Sequence, residues 1–420
     1  MVQAICIYEN INYQNLLPLV YFRPVYELRC GILTLKEKIE LSYRNIPVIL
    51  HSREYLTETL RLKYPNYSVN NLPQNISSCL FINGSVVANS NIINQILLDG
   101  EDIIYYNKNG IIAAKLSGKY LEDIRKNFSS TLDFEIIKDV PKKNIEVVNI
   151  NYPWDLVNLN GSEIISDFER LVDKSQPLIK GKIYEGVHLI EPNNIFIDEG
   201  TKIKPGVVLD AESGPIYIGK NVKIFPNAAI EGPCFIGDGS AIKIGAKIYE
   251  NTSIGEVCKV GGEVECSVIH SYSNKQHDGF LGHAYLTQWI NLGADTNNSD
   301  LKNNYSSVKV TINNKVIDSG SMFMGLIMGD HSKSAVNTMF NTGTVVGVCC
   351  NVFGSGFPPK FIPSFSWGGS DKMTVYELEK SIEVAKRVMA RRNVEFTDAY
   401  KKLYEKIFEI TETERNYNCN

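Results

Sequence analysis

Seven isoleucines, Ile218, Ile224, Ile230, Ile236, Ile242, Ile248 and Ile254, stand six residues apart, and Val260 and Cys266 continue the series. Neither an α-helix, with about 3.6 residues per turn, nor a strand, with a side-chain period of about 2, produces that spacing. A coil with three short faces does: each rung turns an aliphatic residue to the same inward corner, and stacked rungs align these residues into a column. Gly or Asn recurs at the corners, as Gly219, Asn221, Asn227, Gly232, Gly237, Gly239, Gly245, Asn251 and Gly255. These residues tolerate the left-handed backbone of a tight corner. The pattern predicts a parallel β-helix over residues 179–370. Ile183, Leu189 and Ile195 hold one phase, Ile197, Ile203 and Leu209 another, and three extra residues in AESGP reset the count. The ladder breaks between Ser267 and Gln276 and again over 297–304, and it resumes at Val346 and Val352. Loops that leave a solenoid tend to line its binding face.

The flanks have other periods. Residues 1–178 alternate strand-like runs (Ala4–Tyr8, Pro47–Leu50, Ser78–Ile82, Ile103–Tyr106) with helical ones (Thr34–Leu41, Arg53–Leu62), which predicts an α/β domain with a partly parallel sheet. Ser166–Lys174 reads as a linker helix. Residues 371–420 form a helical tail: Leu378, Ile382, Ala385, Val388 and Met389 make one apolar stripe, and Phe396, Ala399, Leu403, Ile407 and Phe408 a second.

Composition narrows the class. The 420 residues are 44% hydrophobic and 21% charged with a net charge of −4, as in ordinary globular proteins and unlike nucleic-acid binders, which are usually basic. No apolar run is long enough for a membrane span and the N-terminus has no signal-peptide core, so a cytoplasmic protein is expected. Nine scattered cysteines without a CxxC pair point to reduced thiols and argue against zinc.

Chemistry gathers where the ladder fails. Four of the six histidines, His270, His277, His283 and His331, lie in this region beside the polar segment Asn297–Tyr305. Acyl transfer from a thioester to an amine needs a base near neutral pH, for which histidine is suited, and donors for the oxyanion. Asn and Lys side chains can hold sugar hydroxyls and phosphate.

The stretch HDGFLGHAYLTQWINLGADT, His277–Thr296, resembles the acetyltransferase half of the bifunctional N-acetylglucosamine-1-phosphate uridylyltransferase/glucosamine-1-phosphate acetyltransferase family. Gly282, Asn291, Gly293, Ala294 and Thr296 match its motif, and its catalytic histidine falls on His277 without a gap. Asp278, Phe280, His283 and Asp295 depart from it. Gly329–Asn337 resembles the archaeal version, and nearly the whole chain resembles a Bacteroidetes-type variant. The resemblance implies a left-handed β-helix, a homotrimer and acetyl-CoA as acyl donor. His277 is the expected base and His283 its rival. Asn298, Lys302, Asn304, Lys315 and Tyr285 are the expected substrate contacts, and His331 and Lys333 the expected acyl-CoA contacts.

Leu17–Pro24 (LPLVYFRP) resembles the signature of sugar-nucleotide pyrophosphorylases, and Tyr152–Asn158 (YPWDLVN) its closing element. That implies transfer of a nucleotidyl group from UTP to a sugar phosphate, with Arg23, Arg29 and Lys38 on the phosphates, Mg2+ held by carboxylate, and Asp155 near the site. Two features depart: the segment before Pro18, Tyr8–Asn15, has no phosphate-cradling glycine, and the metal-binding strand end is Asn83-Gly84. The combined expectation is a small-molecule transferase of sugar-nucleotide synthesis. A single-function nucleotidyltransferase with a structural β-helix, or a non-catalytic scaffold, are the other readings.

Overall fold

The computed structural model describes residues 2–128 and 131–416. The N-terminal sheet has seven strands in the spatial order Ser68–Val69, Val48–Leu50, Ala4–Tyr8, Ser78–Asn83, Gly110–Ser117, Ile103–Asn107 and Lys142–Asn144. The first four run parallel, and Gly110–Ser117 runs antiparallel to both its neighbours. The sheet is therefore mixed, as the alternation predicted. The stretch predicted as one helix over Arg53–Leu62 is a 3-10 turn, Glu54–Leu56, followed by helix Thr57–Lys63.

The expected parallel β-helix follows, and its ladder is three columns rather than one. Ile218, Ile236 and Ile254 pair on one face, Ile224, Ile242 and Val260 on the second, and Ile230, Ile248 and Val264 on the third. One full coil is thus three six-residue rungs, and same-face partners are 18 apart. The inward residues are sealed, Ile218, Ile224 and Ile230 all at 0% exposure. Full burial stabilises by about 1.5–3 kcal/mol per side chain. Val264, not Cys266, continues the third column, because Gly261-Gly262 shortens the corner. Cys266 is instead a half-buried corner residue with φ 43°.

The corner residues serve two different needs. Gly239, at φ 69°, supplies the left-handed turn. Gly237 does not: a Cβ there would meet the carbonyl carbon of Gly255 at 2.7 Å, so it is small because the next rung lies against it.

The first predicted break is not a loop. Strands Val268–Ile269 and Asn274–Lys275 carry the coil through it, with Ile269 under Ile254 and Lys275 under Val260. The second break is real. The chain leaves after Asn297–Asn298, forms the hairpin Lys309–Ile312/Lys315–Asp318, and returns at Ile327–Met328.

The three faces have different surroundings. The nine-stranded face from Ile195–Ile197 to Phe361–Ile362 is covered by the N-terminal residues. Its outward residues Val268, Tyr285 and Ile327 share one core with Leu16, Tyr26, Leu28 and Trp154. The helix that covers it is Pro153–Leu171, longer and earlier than the predicted 166–174. Asp155 closes a capping box there, accepting from the backbone N–H groups of Asn151 and Tyr152. It therefore caps the helix rather than facing a ligand. The N-terminal residues leave the other two faces uncovered, and the C-terminal tail meets the first of these only near Asn274. One carries Lys182, Lys202, Lys223 and Lys259 in register, and the other carries Asp210, Glu231, Glu263 and Glu265. The tail forms the two predicted helices, Leu378–Ala390 and Asp398–Ile410.

Candidate active site

His277 lies on the corner between the lysine face and the acidic face, two residues past strand Asn274–Lys275. It is exposed. Its own carbonyl is held from behind: Lys275 Nζ donates to the carbonyls of His277 at 2.8 Å and Gly261 at 3.1 Å. Lys275 occupies an inward position of the ladder at 2% exposure, and burial pushes its ammonium down to about 8 against the pull of Asp278, Asp295 and Glu263. Lys275 was missed from the sequence. It lies inside the break expected between Ser267 and Gln276, and the six-residue count from Val260 does not reach it.

His283 stands on the opposite edge of the acidic face, at φ 46°. Its Nδ1 is 2.8 Å from Asp300 Oδ2, and its ring stacks on Phe323 with centroids 4.8 Å apart. Burial works against its charge, but Asp300 and the Cys266 sulfur outweigh it and raise the ring to about 9. At neutral pH it is a protonated donor, poorly suited to accept a proton. The strand Phe280–Gly282 runs between the two histidines.

The other expected contacts divide by environment. Asn298 is 4% exposed and staples two rungs, accepting from the Gly282 N–H and donating to its carbonyl, both at 3.0 Å. Tyr285 is fully buried, with its hydroxyl between the Arg29 N–H and carbonyl. Lys302 donates to the Ser307 carbonyl within its own loop. Asn304 and Lys315 are exposed, the latter on the hairpin. His331 is buried, bonded through Nε2 to the Tyr400 hydroxyl at 2.8 Å, and packs with Phe22. Lys333 is half-buried; burial lowers it to about 8.

The N-terminal cations are sealed. Arg23 pairs with Asp330, with Nη1–Oδ2 at 3.0 Å, in a contact 3% and 0% exposed. Arg29 pairs with Glu256 at 2.5 Å, and Lys38 with Glu163 at 2.7 Å and Asp167 at 2.5 Å. Their charges join the N-terminal residues to the coil and to helix Pro153–Leu171 rather than opening onto a cavity. The ends of the parallel strands, the usual ligand position of an α/β sheet, hold a carboxamide cluster. Asn107 and Asn109 both donate to Asn149 Oδ1 at 3.0 Å, and Asn83 accepts from the Ser85 N–H and hydroxyl at 3.0 Å. Glu9, next to it, is spent on Arg53 and the Val25 N–H. This donor set does not fit Mg2+, which favours free carboxylates. Among the described residues no group of three His, Cys, Asp or Glu could hold a metal ion, and no helix is long and apolar enough to cross a membrane.

Comparison with known proteins adds a family. Residues 5–176 match the family model "Sugar nucleotidyl transferase". The "Bifunctional protein GlmU" of Synechococcus elongatus is 30% identical over 224 residues, covering 48% of this chain and 45% of that protein. The protein of the same name from Methanococcus aeolicus is 26% identical over 338 residues, covering 73% and 74%. The "Bifunctional sugar-1-phosphate nucleotidylyltransferase/acetyltransferase" of Sulfurisphaera tokodaii is 22% identical over 387 residues, covering 80% and 88%. The chain thus spans about half the length of the first relative and most of the last. Residues 5–176 are thus similar to sugar nucleotidyl transferases, and most of the chain is similar to bifunctional proteins that pair a nucleotidyltransferase with an acetyltransferase.

Proposed function

We propose that this protein is a transferase of sugar-nucleotide synthesis. Its coil passes an acetyl group from acetyl-CoA to the amine of glucosamine 1-phosphate. The amine nitrogen attacks the thioester carbonyl, the C–S bond breaks as the C–N bond forms, and His277 takes the amine proton and returns it to the leaving thiolate. The N-terminal residues then carry uridylyl transfer: a phosphate oxygen of N-acetylglucosamine 1-phosphate attacks the α-phosphorus of UTP and pyrophosphate leaves. The observation that carries the acyl half is the exposed His277 on a corner anchored by Lys275. The names of its relatives support the pairing of the two halves. Assay of the whole chain with acetyl-CoA and glucosamine 1-phosphate, and separately with UTP and N-acetylglucosamine 1-phosphate, tests each half. The expected results are free thiol in the first and pyrophosphate in the second, and absence of thiol release would remove the acyl assignment.

A second reading for the N-terminal half has its own observation: Arg23, Arg29 and Lys38 are all consumed by ion pairs. On this reading the half docks and stiffens the coil, and the UTP assay yields no pyrophosphate.

We also propose a homotrimer. The two uncovered faces are complementary, one lysine-rich and one acidic, and burial, Glu250 and Asp210 all raise the carboxyl of Glu231. Ile244, Val336 and Phe353 are exposed at 68%, 64% and 38% on the corner that separates these faces. A lysine face seated on the acidic face of the next copy makes a heterologous contact, which closes as a ring. Sedimentation should give three times the chain mass of 47.1 kDa, and a single-chain mass would refute it.

A further inference from the structure

Between the lysine face and the end of helix Leu378–Ala390 lies a cleft of about 320 Å3 with no carboxylate in its lining. Four cations line it: Lys259 and Lys333 from the coil, Arg391 and Arg392 from the helix end. Lys259, Arg391 and Arg392 form no ion pair among the described residues, whereas Arg387, one turn earlier, is matched by Glu383. Arg392 Nη2 donates to Asn274 Oδ1 at 2.8 Å, which ties the helix end to the coil and holds the cleft at its width. The crowding has a cost. Arg392 first, then burial, Arg391 and Lys243, lower the Lys259 ammonium. Like charges held together in a concave site without an internal counter-charge concentrate anions. One wall is aromatic: Tyr272 and Trp289 stack with centroids 4.3 Å apart and planes within 12°.

We propose that this cleft binds a phosphate-bearing small molecule, with Lys259, Arg391 and Arg392 on the phosphate oxygens and Tyr272 and Trp289 as an apolar wall for the organic part. Guanidinium forks match phosphate geometry, and the volume is that of a small-ligand site. The phosphate could belong to a free nucleotide or to coenzyme A; only the second source rests on the acyl-transfer reading. Calorimetric titration of the full chain with inorganic pyrophosphate, UDP and coenzyme A tests the site without either transfer reaction. At least one should bind, and Arg391→Gln and Lys259→Gln should each weaken it by about tenfold or more. The two substitutions lie on different elements, so a local fault in one leaves the other informative, and thermal unfolding verifies that both are folded. Binding of coenzyme A alone assigns the site to the acyl donor, and binding of UDP or pyrophosphate assigns it to a nucleotide. No binding of any of the three at millimolar concentration, or unchanged affinity in both variants, overturns the proposal.

Discussion

His277→Ala should lower the proposed acetyl transfer by about 10²–10⁴-fold, the usual contribution of a positioned general base, and leave the unfolding temperature unchanged. The second half follows from exposure: the ring is on the surface and makes no hydrogen bond among the described residues, so its loss opens no cavity. His283→Gln is the paired control. That ring is raised to about 9, so it is already protonated at neutral pH and cannot be the acceptor there. Its replacement should cost less rate than His277→Ala at pH 7. It should cost stability, because a group whose folded value lies above its unfolded value stabilises most below the latter, and here that contribution fades as pH rises through about 9. Equal rates for wild type and His277→Ala, or a larger loss in His283→Gln, would reverse the assignment.

Asp330→Ala destabilises the protein by about 3–5 kcal/mol, because it strands Arg23 in the interior without its partner. Arg23 is 3% exposed, and Asp330, at 0%, is the one carboxylate paired with it among the described residues. Its remaining hydrogen-bond acceptors, Leu19 O at 3.0 Å and Gln288 Oε1 at 3.2 Å, are neutral, and Glu27 acts on it only without contact. Asp330 comes from the coil and Arg23 from the N-terminal residues, so the loss should appear as loosened docking as well as a lower unfolding midpoint in urea. The exposed pair Lys402–Glu58 bridges the tail helix to the N-terminal residues, but its side chains are 69% and 59% exposed. Glu58→Gln should therefore cost only about 0–1 kcal/mol. Comparable effects of the two substitutions would show that docking rests on the shared apolar core and not on the buried pair.

The nucleotide half shows how far residue types carry. Arg23, Arg29 and Lys38 follow a phosphate-binding signature, and nothing in one dimension distinguishes a cation facing a ligand from one facing a carboxylate 125 to 307 residues away. The missing glycine before Pro18 and the neutral Asn83 were legible, and the carboxamide cluster at the strand ends agrees with them. Lys275 is the converse case: it falls where the ladder was expected to break, and only the fold shows it on an inward position, holding the His277 corner.

By itself the sequence determined the β-helix, its second interruption and the tail helices, because each shows in a short-range period that local backbone geometry enforces or breaks. It also pointed to His277 as the expected base, because the motif match is contiguous. The tertiary structure decided what long-range contact decides. It covered one face of the coil with the N-terminal residues, buried three expected phosphate ligands in ion pairs, and brought Arg391 and Arg392 onto the basic face beside Lys259. Charge and burial depend on neighbours in space, and those neighbours lie more than a hundred residues apart along this chain.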